Sequence, residues 1–288
     1  MNDTRPAGAW IEDAIISFFE GPDNNLWDSA GERAWAEPLV GFSSGSDPLY
    51  QQFKTVVDGN HWTPLEAFRL GWPGVQVAAA DLVVISWILP QTAATKADNR
   101  QERRFPAERW ARSRIFGEAI NERLRQHLVG VLASRGFQAV SPVLLAEWES
   151  FDSERHVYTS NWSERHAAYA SGLGTFGLCD GLITAKGKAV RAGSVIASIP
   201  EEAKRPPAMP RPYTRHQEYC LYFVDGSCGD CMVRCPVGAI SEMGHDKARC
   251  RQHLTDTQAY VRGTFGFEGY GCGLCQTGVP CESGVPVL

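Results

Sequence analysis

Long hydrophobic runs are missing from this sequence. The longest, Leu82 to Leu89, is interrupted by Ser86 and stopped by Pro90, far short of the ~20 apolar residues a membrane helix needs. Blocks of about five or more like charges are also missing. With 28 Lys+Arg against 33 Asp+Glu and a net charge of -5, neither a basic nucleic-acid arm nor an acidic tail is indicated. The opening Met1-Asn2-Asp3-Thr4-Arg5-Pro6 carries an early acid and no apolar stretch behind a basic one. No secretory or twin-arginine leader is therefore expected, and the expected location is cytoplasmic. Tryptophan does not occur after Trp162, and Cys179 is the sole cysteine before Cys220. That reciprocal absence divides the chain into two chemically different parts.

What the second part has is thiol. Cys220, Cys228, Cys231, Cys235, Cys250, Cys272, Cys275 and Cys281 follow one another there, with Pro236 directly after Cys235. Eight thiolates are what two four-iron clusters require, and Cys228-Gly229-Asp230-Cys231 and Cys272-Gly273-Leu274-Cys275 are tight loops that let adjacent sulfurs reach adjacent irons. In two-cluster ferredoxins the cysteine before the proline serves the other cluster. The expected sets are therefore Cys220, Cys228, Cys231 and Cys281 for one cluster and Cys235, Cys250, Cys272 and Cys275 for the other. The usual run would also have a cysteine three residues before Cys228, where this chain has Asp225. Cys220 takes its place, with Asp225 left open as an oxygen ligand. Zinc knuckles are disfavoured because Cys231 and Cys272 lie beyond the ribbon spacing of about 15 to 20 residues. Disulfides do not suit a reducing compartment.

Pro200, Pro206, Pro207, Pro210 and Pro212 read as a semi-rigid linker, which puts one domain at 1–205 and another at 206–288. In the first, Trp10 to Phe19 has helical spacing and Asp81 to Leu89 reads as a buried strand. A long amphipathic helix is expected from Pro106 to Gly136. Phe137 to Leu145, Leu182 to Thr184 and Ser194 to Ile199 read as strands, and Ser163 can cap a helix running to Gly172. In the second, short helices are expected over Val237 to Glu242 and Asp246 to Leu254. Strands and helices mix without strict alternation, which points to an α+β fold. Gly172-x-Gly174-x-x-Gly177 matches a dinucleotide fingerprint formally, but it follows a helix and lacks the acidic residue that completes one. Cys179 reads as a small buried hydrophobe.

The segments Cys220 through Arg234-Cys235-Pro236-Val237-Gly238-Ala239-Ile240 and Tyr270-Gly271-Cys272-Gly273-Leu274-Cys275 resemble the iron–sulfur part of the epoxyqueuosine reductase and reductive dehalogenase superfamily. Glu164-Arg165-His166 through Gly172-Leu173-Gly174-Thr175-Phe176-Gly177, and Gly193-Ser194, resemble its N-terminal part. The resemblance implies a nitroreductase-like, cobalamin-binding α+β domain followed by a ferredoxin-like domain with two four-iron clusters. It further implies a cobalamin-dependent reductase acting on a small organic substrate, with a low-potential donor such as a flavodoxin or ferredoxin. Tyr158 stands where the epoxyqueuosine enzymes have their catalytic acid. Asp152, His156 and Tyr169 are the other catalytic candidates that the resemblance implies, and Asn161, Arg165, Gly172, Gly174 and Gly177 the corrinoid-binding ones. The sequence ends seven residues after Cys281, without a tRNA-gripping extension, and its acidic balance is expected to disfavour nucleic acid. Two alternatives stay open: an electron-transfer or corrinoid-reactivating protein without its own substrate, and epoxyqueuosine reduction in tRNA modification.

Overall fold

The computed structural model describes residues 5–27, 31–203 and 205–287. Helix α1 (Ala7–Glu20) buries Trp10, Ile11, Ile15 and Phe19, a stripe at helical spacing, against the core. Strand β1 (Leu39–Ser44) is followed by α2 (Leu49–Val56) and α3 (Pro64–Gly71). In α3 Thr63 and Glu66 form a reciprocal capping box and a proline occupies the first turn. Strand β2 (Leu82–Pro90) is buried at every position, as an unbroken apolar run covered on both faces must be. Then come α4 (Ala93–Gln101), the long α5 (Glu108–Ser134) and β3 (Ala139–Val140). The hairpin of β4 (Ser150–Ser153) and β5 (Val157–Ser160) leads into α6 (Glu164–Ala170), β6 (Gly174–Phe176), β7 (Leu182–Thr184) and β8 (Val190–Ser198).

The central sheet has the order β1-β2-β8-β3, with every pair antiparallel. Its strands and helices give the mixed α/β architecture, with small antiparallel sheets, that the pattern suggested. Trp87 lies opposite Gly193, and a Cβ on Gly193 would fall 2.5 Å from the indole. That overlap explains a glycine inside a buried strand. Helices α1 and α5 cover one side of the sheet, where Trp35, Trp87, Leu124, Leu128 and Val195 pack together. Tyr50, Phe53, Phe68, Trp162, Tyr169 and Ile196 fill the other.

The cysteine segment contributes α7 (Leu221–Val224), α8 (Asp230–Arg234), the two-residue strands β9 (Ile240–Ser241) and β10 (Gly244–His245), and α9 (Lys247–Phe265). Two sequence expectations change here and in the first part. The helix expected over Val237 to Glu242 is a turn running into the β9–β10 hairpin, because Gly238 adopts φ +60° and leaves the helical path. The strand expected over Phe137 to Leu145 is paired only at Ala139–Val140, since Pro142 opens a 3-10 turn instead. Helix α9 extends well past Leu254 and is closed by Gly266 at φ +75°.

The proline-rich stretch lies along the first part instead of looping free. Met209 N–H donates to Phe42 O at 2.8 Å, and the ideal Cβ of Gly172 would meet Pro210 O at 3.0 Å. The cysteine segment is tied to the first part at several points. Arg234 donates to the carbonyls of Asn99 and Glu102 at 3.1 and 3.0 Å. Asn99 donates to Cys272 O at 3.2 Å, and Lys188 N–H to Cys281 O at 2.8 Å.

Candidate active site and cysteine centre

Cys220, Cys228, Cys231 and Cys281 line one pocket, together with Leu178, Ile183 and Lys188. Asp225 does not line it; it is exposed and accepts from its neighbour Ser227 N–H at 2.9 Å. The structure thus brings Cys220 to the other three thiols by placing it at the start of α7. Cys235, Cys250, Cys272 and Cys275 form the second neighbourhood. Burial pushes the Cys272 thiol up, and Cys250 and Cys235 lie near enough to add to the shift. The Ala239 amide donates to Cys235 Sγ at 3.1 Å. Among the described residues no three Cys, His, Asp or Glu side chains converge as a single ion would require. A four-iron cube spreads its four thiolates around its own bulk, so soft, sulfur-only pockets with apolar walls suit clusters by donor chemistry.

Cys179 is buried, as expected, but it is not an isolated hydrophobe. Its sulfur lies against those of Cys231 and Cys275, one from each set. Lys188, absent from the sequence-derived candidates, is buried in the same place. Its only sequence signal was the Lys186-Gly187-Lys188 stretch before an apolar strand, which ordinarily means a surface turn.

A cleft of about 640 Å³ opens beside the second thiol group. Phe53, Val57, Trp148, Tyr169 and Phe176 give it an apolar wall, and Tyr158, Arg165, His166, Asp180, His245 and Lys247 give it polar groups. Tyr158 stands at the rim, with Arg251 and Lys247 5.3 and 5.7 Å from its ring centroid. Burial raises its pKa, and Cys250 raises it further, so the phenol keeps its proton at neutral pH. Tyr169 stacks on Tyr213 with centroids 5.2 Å apart. His156 lines the cleft with Nε2 held 2.8 Å from Val56 O. Arg165 also faces the cleft while donating to the Asp180 carbonyl. Asp180 itself sits at φ +58°, and its carboxylate takes His245 Nδ1 at 3.1 Å. Against burial, Asp180 and then Cys250 raise the His245 pKa, so His245 stands close to both the cleft and the thiol group.

The remaining sequence candidates lie elsewhere. Asp152 is outside the cleft lining, its side chain 93% exposed and 3.8 Å from Arg251. Asn161 is buried as a backbone clip, donating to Glu147 O at 2.8 Å and accepting from Glu149 N–H at 3.2 Å. Of the three glycines only Gly177 reaches the cleft. Gly172 makes the turn after α6 at φ +79°, and Gly174 is pressed against β7, where a Cβ would meet Ile183 O at 2.2 Å. Glu164, next to Arg165, turns inward to a buried network: Arg125 reaches it at 3.1 Å and Glu118 at 3.0 Å, and Ser194 donates to it. That network anchors the start of α6 and aims Arg165 and His166 outward.

This chain matches curated proteins over about half of its length. It is 29% identical over 154 residues to the epoxyqueuosine reductase of Bacillus anthracis, covering 51% of this chain and 37% of that one. The chain is similar to epoxyqueuosine reductases. The Bacillus subtilis enzyme of that name is 31% identical over 148 residues, covering 49% of this chain and 34% of its own. The matches thus span about a third of the length of these relatives. No family model matches. Among solved structures, the epoxyqueuosine reductase from Bacillus subtilis aligns at TM-score 0.48 and 20% identity, covering 86% of this chain and 62% of that one. Another epoxyqueuosine reductase, crystallised with a tRNA-Tyr epoxyqueuosine-modified stem loop, aligns at TM-score 0.48 and 18% identity, covering 97% and 67%. That stem-loop complex corrects the expectation that nucleic acid is disfavoured as a partner. Net charge does not describe this face locally: Arg155, Arg165, Arg249 and Arg251 are exposed on the segments that carry the cleft. The curated proteins it resembles are named as reductases. Among the described residues no helix is long and apolar enough to cross a membrane.

Proposed function

We propose that the chain is an iron–sulfur reductase that acts on an epoxyqueuosine-type nucleoside carried by tRNA. The observation that carries this reading is the meeting of the second thiol group with the cleft through His245 and Tyr158. The names of its curated relatives supply the substrate class. Cys220, Cys228, Cys231 and Cys281 would hold one four-iron cluster, and Cys235, Cys250, Cys272 and Cys275 the other. The aromatic wall of the cleft suits a flat macrocycle such as cobalamin. When bound, the clusters supply single electrons at low potential and a corrinoid supplies the strongly reducing centre.

The chain's own residues have definable tasks. Tyr158, protonated at neutral pH, is within the cleft lining to hydrogen-bond and protonate an oxygen leaving carbon. Arg165 and Lys247 offer cationic contacts to an anionic substrate backbone. Phe53, Tyr169 and Phe176 exclude water from the inner wall. A small organic substrate without tRNA is the second reading.

The test is anaerobic incubation of cluster-loaded chain, with cobalamin and a chemical reductant, against a stem loop bearing epoxyqueuosine. Loss of one oxygen atom from the nucleoside, read by mass spectrometry, is the expected result. Full iron content with bound cobalamin and no conversion would exclude the tRNA substrate. An unchanged cobalamin spectrum at micromolar protein would exclude the corrinoid.

A further inference from the structure

Lys188 carries a charge where the fold offers no carboxylate to meet it. It is 3% exposed and lines the pocket shared by Cys220, Cys228, Cys231 and Cys281. Its backbone N–H is fixed on Cys281 O at 2.8 Å, and the next amide, Ala189, donates to Glu282 O at 3.3 Å. The preceding Gly187 has φ +87°, and an ideal Cβ there would fall 2.2 Å from Glu282 O, so the chain is pinned flat against the Cys281 loop. The aliphatic stem packs on Gly181, whose Cβ position lies 3.0 Å from Lys188 Cγ and Cδ. The side chain has one direction left, into the sulfurs. None of the ion pairs formed by the described residues includes it, and Glu282 is held instead by Arg100.

A buried ammonium without a counter-charge is costly, and proteins retain one when something anionic occupies the site. A four-iron cluster with four thiolates is anionic in both oxidation states and gains one further negative charge on reduction. A fixed cation beside it therefore favours the reduced form.

We propose that Lys188 is the residue that tunes the potential of the cluster held by Cys220, Cys228, Cys231 and Cys281, raising it above the value that cluster would have without the buried charge. The inference rests on the two-cluster reading given above. In the step concerned the oxidised cluster takes one electron from an external low-potential reductant, no bond forms or breaks, and Lys188 keeps its proton throughout. Charge alone stabilises the added electron. The role is one of positioning a charge, and Lys188 is not a catalytic residue.

The experiment compares the full chain, Lys188→Met and Lys188→Arg, each purified anaerobically with its clusters. Iron and sulfide are counted, and midpoints are read by spin resonance during a dithionite titration. Wild-type protein should hold about eight irons. In Lys188→Met one of the two clusters should become at least ten-fold harder to reduce, about 59 mV for a one-electron couple, while the other moves less. Lys188→Arg should stay within about three-fold of wild type, which a purely structural role for the stem would not require. If Lys188→Met loses iron, Lys188→Gln is titrated in its place and the same shift is expected. Full iron content with both midpoints unchanged in the neutral variant overturns the assignment to Lys188. Fewer than about six irons in wild type overturns the two-cluster reading itself.

Discussion

Gly273 lies between Cys272 and Cys275, and replacing it with alanine tests whether the second thiol loop is held by the first part of the molecule. Two independent costs can be worked out. The residue adopts φ +64°, and an L side chain in that region loses about 1–2 kcal/mol relative to glycine. An added Cβ would also fall 1.9 Å from Cε2 and Cζ2 of Trp110. Trp110 is a buried residue of α5, so the indole cannot swing into solvent, and forcing a methyl group into such packing costs about 1–3 kcal/mol. Together the loss is roughly 2–5 kcal/mol, a large share of the 5–15 kcal/mol that stabilises an ordinary domain. Urea denaturation of Gly273→Ala should show this loss, and iron content should fall toward half because one loop is displaced. Gly263→Ala is the control. It sits in α9 with nothing near its Cβ position, and alanine there should stabilise by about 1 kcal/mol. Replacing Trp110 by leucine as well should recover part of the Gly273→Ala loss, as coupled neighbours do. A Gly273→Ala protein within about 0.5 kcal/mol of wild type and fully loaded with iron would refute the reasoning.

His61 is buried and stacked on Trp162, its Nε2 has no hydrogen-bond partner among the described residues, and burial pushes its pKa down to about 4 from 6.5. The unfolded chain therefore binds this proton first, and stability should fall between pH 6.5 and 4 by up to about 3 kcal/mol. His61→Phe should remove that part of the acid slope, and identical slopes by urea denaturation would contradict it. Arg125 is 3% exposed on its side chain and serves both Glu118 and Glu164, so Arg125→Met should cost about 3–5 kcal/mol and lower the thermal midpoint. A change under 1 kcal/mol would show that the two carboxylates find other partners. Tyr158→Phe should lower the chemical step at least ten-fold without loss of iron, whereas Asp152→Asn, with its side chain in solvent, should stay within about two-fold. The reverse ranking in single-turnover assays would move the proton donor to Asp152.

The parts of the fold that were legible in the sequence are those carried by unbroken periodicity. α1, α5 and β2 expose their patterns because each buries a continuous stripe or run. The hairpin at Ile240–His245 was not legible, since two-residue strands have no period to read and a helix-compatible stretch was turned by Gly238 alone. The thiols were visible as spacing; which of Cys220 and Asp225 stands beside Cys228, Cys231 and Cys281 was open in the sequence, and Cys220 is the one that lines their pocket. Lys188 and Cys179 were not, because their meaning comes from where β7 and β8 set them relative to Cys231, Cys275 and Cys281, many tens of residues later. Asp152 and Asn161 looked functional by nearness in sequence to Tyr158. Asp152 pairs with Tyr158 across the hairpin but its side chain stays in solvent outside the cleft lining, and a backbone clip holds Asn161.

Strand β8 has a consequence for how such a protein can change over time. Its middle pairs with the centre of the sheet, and the residues just before it are hydrogen-bonded to Cys281 and Glu282. It works as a splint between the sheet and the last thiol. One residue inserted between Thr184 and Val190 would turn the lysine away from the sulfurs or tear the Cys281 loop from its amides, since facing alternates with every step of extended chain. Between 205 and 219 the chain is held by scattered hydrogen bonds, such as Met209 N–H to Phe42 O and Phe176 N–H to His216 O, and not by a continuous paired register. Length variation in chains of this design should therefore collect in that second stretch and spare the first.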